Sequence, residues 1–498
     1  MRTSTIAAIA RRAGAAPSAV SRRKFLETTL AAGAGLWLGG QGARADSRGG
    51  KRPRVIIVGA GFGGLSCGWQ LQQAGAQVTI LEARNRLGGR VLSLDRYIPD
   101  AVVEGGAELI GSNHPTWMQY GKAFGLTFRD VTEPEPAQAP ILLNGKRYEG
   151  KAREALWESM WAALNRMNDD ARLVDPNQPW SSPDAARFDA MNVAEVIQSW
   201  PIDTNVKEAA LAVFSNDDAG WPERTSYLGT LSVIAGGGYE KFWTESEVYR
   251  CEGGNQTLAF KLAEAIGDSR IHLQTPVSQI ELTDSGASVK TADGNTFGGD
   301  VVVLTVPPSA WDHFTITPEL PSDYRVDTGP AIKYLAKVDQ RFWVENGWEP
   351  NSLSDTPVGE TWDGTDGQLP NPGSPACLTV FSGGAAAQAC LDFPADQRKA
   401  EFARYLEQLY PGFNQHFQKG MFMGWPTEKW TQCGYSGAAP GQVTTVMPKL
   451  RAGFQDRLFF AGEYTSTAFT GYMEGGLHSG AMLAKKLAKS LNLTSRRG

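Results

Sequence analysis

The feature that most constrains this chain lies at residues 54–64. Arg54-Val55-Ile56-Ile57-Val58 is a short apolar, β-branched run, as expected of a strand buried on both faces. It leads without a break into Gly59-Ala60-Gly61-Phe62-Gly63-Gly64, a G-x-G-x-x-G turn. Gly59 permits the tight turn, Gly61 lets a pyrophosphate approach the backbone, and Gly64 lets helix and strand pack closely. Residues 65–74 then read as a helix whose N-terminal N–H groups face that phosphate. A second apolar strand at 77–81 ends in Glu82, an acid at the spacing that binds a ribose hydroxyl pair. The pattern predicts a doubly wound Rossmann-type α/β fold around a bound dinucleotide.

At 498 residues the chain is long enough for more than one lobe. Lys and Arg number 48 against 53 Asp and Glu, which argues against nucleic acid as a partner. The cysteines, Cys67, Cys251, Cys377, Cys390 and Cys433, form no C-x-x-C pair, so no zinc site, thioredoxin-type site or disulfide framework is expected. Residues 1–45 read as an address. Arg22-Arg23-Lys24 precedes a short, weakly apolar run and then Ala43-Arg44-Ala45, the layout of a twin-arginine export signal. Its removal would leave 41 basic against 52 acidic residues, a net charge of −11. The expected route is passage through the twin-arginine translocase, already folded, to the periplasm or beyond.

Beyond the ribose acid the chain continues Glu82-Ala83-Arg84-Asn85-Arg86-Leu87-Gly88-Gly89-Arg90, adding backbone N–H groups and fixed cations near the pyrophosphate. This string resembles the extended fingerprint of glutathione-reductase-type FAD proteins, specifically the flavin monoamine oxidase family. Three later blocks resemble the same family in order. Val103-Glu104-Gly105-Gly106-Ala107-Glu108 is similar to the segment beside the isoalloxazine ring, and Leu273-Gln274-Thr275-Pro276-Val277 to the strand that meets the adenine end. Phe459-Phe460-Ala461-Gly462-Glu463 and Gly471-Tyr472-Met473-Glu474-Gly475 are similar to the C-terminal pair near the ribityl chain and the flavin pyrimidine.

The resemblance implies FAD as cofactor, held by Gly59, Gly61, Phe62, Gly63, Gly64, Glu82, Ala83, Arg84, Gly88, Gly89, Arg90, Gly105, Gly106, Ala107, Val277, Trp430, Gly462, Glu463 and Met473, and no metal. It implies a discontinuous FAD-binding domain at 52–115, 250–310 and 425–490, with an interleaved α+β substrate domain at 116–249 and 311–424. The activity implied is oxidation of an amine to aldehyde, ammonia and hydrogen peroxide through an imine, with oxygen or another electron acceptor. An L-amino-acid oxidase, its carboxylate clamp supplied by Arg224 or Arg250, is the alternative, as is a dehydrogenase serving a protein acceptor.

Tyr472 matches one wall of the family's aromatic cage, and Tyr435, in Cys433-Gly434-Tyr435-Ser436, is offered as the other. Gly434 stands where some members carry a flavin-linked cysteine, so a non-covalent flavin is expected. Many members place a lysine shortly after the V-P-P strand, to hold a water at flavin N5. Here Asp312 and His313 follow Val306-Pro307-Pro308, which makes His313 either the holder of that water or a histidine without a catalytic role. Glu108, placed where an amino-acid oxidase carries a carboxylate-binding arginine, would draw an ammonium or simply bond to its neighbours. The oligomeric state stays open, a dimer included.

Overall fold

In the computed structural model, the described residues are 52–493 apart from 133–138, 218–219, 370 and 372. The proposed export signal therefore lies outside them. Five parallel strands form the central sheet, in the order Leu458–Phe460, Val301–Leu304, Arg54–Val58, Gln77–Leu81, Ile271–His272. Its strands are apolar at nearly every position because both faces are covered. Val55, Ile57, Val78, Ile80, Val301 and Val303 face the helices Phe62–Gln73, Thr257–Ile266 and Met473–Ser490. Ile56, Val58, Leu81, Val302 and Leu304 face the other way, towards Ile280, Leu282 and Val289. That alternation is the period-2 geometry of a strand working between two layers.

Leu282 and Val289 belong to a four-stranded sheet, Thr296–Gly299, Gly286–Thr291, Val277–Thr283 and Thr315–Thr317, which roofs the parallel sheet. Thr315–Thr317 pairs in parallel with Val277–Thr283. It thus joins the layer over the dinucleotide sheet, although the sequence places residues 311–424 in the second insertion.

The insertions meet in a seven-stranded sheet, ordered Phe417–Gly424, Ala331–Val338, Ala376–Gly383, Glu360–Asp363, Ser352–Ser354, Ile141–Leu143, Lys146–Tyr148. Helices Gly384–Asp392 and Arg398–Leu409 cover one of its faces through Ala387, Cys390, Phe402, Leu406 and Leu409. Helices Gly150–Leu164, Thr204–Asp217 and Tyr227–Gly237 build a second helical layer, carrying Leu156, Phe214 and Leu231 into the large core. Strand Ala331–Val338 is paired on both sides and buried along almost its whole length, yet carries Lys333, only 3% exposed.

Candidate active site

Three glycine-bearing turns meet at the C-terminal edge of the parallel sheet, backbone against backbone. A Cβ on Gly64 would lie 2.0 Å from the Gly59 carbonyl oxygen, and one on Gly63 would lie 3.1 Å from the backbone of Gly462. Gly61 and Gly88 form an isolated parallel bridge, and Gly89 packs on the Gly61 Cα. Gly59 holds a φ of +107°, which a side chain would strain. The helix that follows has no side-chain cap, and Gly61, Phe62 and Gly63 line a long cavity at its N-terminus. An uncapped helix end facing a cavity suits a pyrophosphate.

Glu82, 5% exposed, accepts hydrogen bonds from the N–H groups of Ala60 and Arg84, both at 2.8 Å. It thereby locks the first glycine turn to the arginine loop while its side chain stays on the cavity wall. Arg84 donates to Thr431 Oγ1 at 2.6 Å across the same cavity. Ala83, Gly88, Gly89, Arg90, Gly106, Ala107, Val277, Trp430, Gly462 and Met473 also line it. Gly64 and Gly105 do not. Gly64 is needed where helix meets strand, and Gly105 packs near Met423 and Leu94 while its carbonyl accepts from Trp425 Nε1 at 3.0 Å.

The second helix N-terminus on the cavity belongs to Met473–Ser490, with Tyr472 as its uncapped N-cap residue. Glu474 in its first turn accepts from the N–H groups of Thr116 and Trp117, both at 2.9 Å. Burial pushes that carboxyl up to about 7. His114 packs edge-on to the Tyr472 ring at 5.2 Å, and its Nδ1 accepts from the Gly111 N–H at 2.9 Å. Burial holds that imidazole neutral, with a pKa near 3. Tyr435 lines the same cavity, its ring against Gly471, and its hydroxyl donates to the Asp217 carbonyl oxygen.

Glu463 joins these parts. Its Oε1 accepts from Arg90 at 2.9 Å and from Ser436 Oγ at 3.1 Å, and its Oε2 accepts from the Gly471 N–H at 3.0 Å. Arg90 also donates to the Gly434 carbonyl oxygen at 2.9 Å. One carboxylate therefore ties the arginine after the glycines to both tyrosine-bearing turns.

At Glu108 and His313, where the sequence left two readings open, the structure shows side chains engaged by the protein itself. The Glu108 carboxylate, fully buried, pairs with Lys333 at 2.5 Å and Arg250 at 2.8 Å and accepts from Trp362 Nε1 at 2.7 Å. His313 lines the cavity, but its Nε2 meets the Lys429 carbonyl oxygen at 2.7 Å and its ring lies 5.0 Å from Trp430, while Asp312 pairs with Arg325 on the surface. The lysine in the cavity wall is Lys333, twenty residues beyond His313, bonded to Glu108 and to the Glu104 carbonyl oxygen at 3.0 Å. The sequence carried a signal for it, since a lone lysine inside the apolar run Ala331-Ile332-Lys333-Tyr334-Leu335-Ala336 must be paired when the strand is buried. Phe381 and Glu247, also on the wall, had no such signal.

A family model described as flavin containing amine oxidoreductase matches residues 62–488. The chain belongs to that family. It is an FAD-dependent amine oxidase, and the glycine turns, Glu82 and the two open helix ends fit the cofactor. A zebrafish (Danio rerio) flavin-containing amine oxidase is 25% identical over 87% of this chain and 85% of its own. A probable flavin-containing monoamine oxidase A from Dictyostelium discoideum is 24% identical over 88% and 98%. Among solved structures, cyclohexylamine oxidase from Brevibacterium oxydans superposes on the oxidase with a TM-score of 0.79 at 23% identity, covering 89% of this chain and all of that one. A putrescine oxidase with putrescine bound gives 0.78 at 22% identity, over 88% and 99%.

Proposed function

We propose that the oxidase acts on primary amines at the end of the cavity walled by Tyr435 and Tyr472, releasing aldehyde, ammonia and hydrogen peroxide. The observation that carries this reading is the shared cavity. Both tyrosines line it together with the cofactor-binding turns, and the Tyr435 ring packs on the residue before Tyr472. Bound FAD supplies a two-electron acceptor for the hydride equivalent on the carbon beside nitrogen. The chain's own task is to admit the amine in its neutral form, hold that carbon over the ring between two phenols, and keep bulk water away. Lys333, fixed by Glu108 and the Glu104 carbonyl, is the residue we assign to hold a water at the reacting face. The imine product then hydrolyses with water.

The two arginines considered as carboxylate clamps support this choice over an amino-acid oxidase. Arg224 is exposed and lies over Trp221, 4.8 Å from the ring centre. Arg250 is engaged by Glu108 and by the Asp363 carbonyl oxygen at 2.8 Å. Neither lines the cavity. Gly434 beside Tyr435, and a Cys433 thiol pushed up by burial, support a non-covalent flavin. The Arg22-Arg23 signal supports export in folded form to the periplasm or beyond.

Anaerobic addition of tyramine or hexylamine should bleach the flavin, while L-amino acids should not. Bleaching by amino acids alone would overturn the reading. Peroxide release in air separates oxygen from a protein acceptor.

A further inference from the structure

Oxidase turnover leaves hydrogen peroxide in the cavity, beside the side chains of its wall. Peroxide attacks sulfur first, as thiolate or thioether. The 5 cysteines offer it little. All are buried, none lines the cavity, and burial pushes the Cys67, Cys251, Cys377, Cys390 and Cys433 thiols up, away from the reactive thiolate.

One thioether remains. Met473 lines the cavity, and among the described methionines it alone does so. It is 7% exposed and is the first residue of the helix Met473–Ser490. Tyr472, which walls the amine end, immediately precedes it. Gly476, within the first turn, packs its Cα hydrogens towards Phe62 and Gly63, where an added Cβ would lie 3.5 and 3.6 Å from them. The thioether is thus anchored between the cage phenol and the first glycine turn. Other methionines lie elsewhere. Met423 packs behind Gly105, while Met421 and Met482 are 36% and 43% exposed on the outer surface.

We propose that Met473 is a modification site, whose thioether is oxidised to the sulfoxide by peroxide made in the cavity, slowing the enzyme until it is reduced again. The sulfur supplies an electron pair, an S–O bond forms, and the O–O bond of the peroxide breaks. The departing hydroxide takes the proton of the transferred hydroxyl, so one peroxide yields one sulfoxide and one water. A flexible apolar side chain becomes polar and chiral. Met473 belongs to the apolar cluster of Phe62, Leu65 and Leu477, where a new sulfoxide oxygen is costly to bury. The inference rests on the reading above, with peroxide as product, and adds a brake set by use.

Holoenzyme turned over with hexylamine in air, with catalase removing bulk peroxide, tests it. Activity should fall with the number of turnovers, and one added oxygen should appear on the Met473 peptide ahead of those of Met421 and Met482. Resting enzyme given peroxide from outside should show the opposite order, because those two are exposed. Methionine sulfoxide reductases with a thiol should restore most of the lost rate. Met473→Leu, normalised to its own starting rate, should lose activity roughly threefold or more slowly per turnover. A rate that holds, or a Met473 peptide left unoxidised as the rate falls, overturns the inference. So does oxidation that follows added peroxide rather than turnovers. Should Met473→Leu fail to bind FAD, the peptide masses of the unaltered enzyme decide. If hexylamine bleaches the flavin but no peroxide is released, the oxidant is missing and only this inference falls. If hexylamine does not bleach it, the amine reading falls and takes this inference with it.

Discussion

The two walls of the cavity are built on different principles. On the dinucleotide side the contacts come from backbone: glycine turns, two open helix ends, and one acid that fastens turn to loop. On the opposite side they come from side chains of strands and loops far apart in sequence, with Lys333, Phe381, Glu108 and Glu247 brought to one wall. A backbone site tolerates little because its atoms have nowhere to move. A side-chain site can be retuned one residue at a time.

The strongest test of that contrast is Gly64→Ala. A methyl group 2.0 Å from the Gly59 carbonyl oxygen must push helix or strand aside, at a cost of about 3 kcal/mol or more. The purified protein should be colourless and melt well below the unaltered enzyme. A yellow, stable Gly64→Ala variant would break the distinction.

Lys333→Met probes the other wall. It should keep its flavin absorbance but lose about a hundredfold in kcat, if the lysine holds the reacting water. Glu108 keeps Arg250 at 2.8 Å, yet losing one partner of a buried pair should still cost about 3 kcal/mol. Adding Glu108→Gln should lower the melting temperature further, because it takes from Arg250 its buried counter-charge, and should restore none of the turnover, which rapid-mixing kinetics and calorimetry together would show.

A smaller effect concerns the helix end at Tyr472. The Glu474 carboxyl titrates near 7 in the folded chain against 4.5 when free, so the folded state binds the extra proton between those values. Its contribution to stability is present below pH 4.5 and is lost as pH rises to about 7, by something on the order of 1–3 kcal/mol. Urea melts across that window should show the decline, and Glu474→Gln should flatten it in part, because the Glu104 carboxyl is also pushed up to about 7. Least of all, Tyr435→Phe removes one hydroxyl donor to the Asp217 carbonyl oxygen and should lower kcat/KM about three- to tenfold with the flavin unaffected.

The same contrast explains what could be read in the sequence. Gly59 to Gly64, Glu82 and the Gly88-Gly89-Arg90 string are contiguous, and each residue type has a backbone reason to stand where it does. The resemblance carried by Tyr472 and Tyr435 was likewise anchored to nearby glycines. Lys333 does not lie where a count along the chain from Pro307-Pro308 points, because the fold delivers it from a strand of the other lobe. Glu108 was legible as a buried acid near the flavin, but its partners, Arg250 and Lys333, are 142 and 225 residues away in the chain, and nothing local announces them. Glu247 lies between two ordinary acids, Glu245 at the end of a helix and Glu252 in a turn, and only the pairing of Tyr249 with Ile110 brings its stretch to the wall.

The bonds of Glu463 carry a consequence for how such an enzyme can change. Because that one carboxylate fastens Arg90, Ser436 and Gly471 together, the two phenols cannot be re-aimed without unsettling the coenzyme's seat. Selection or engineering that seeks a new taste in amines is thereby channelled to the far wall, and the rings should pass unaltered through lineages that have long since parted in diet.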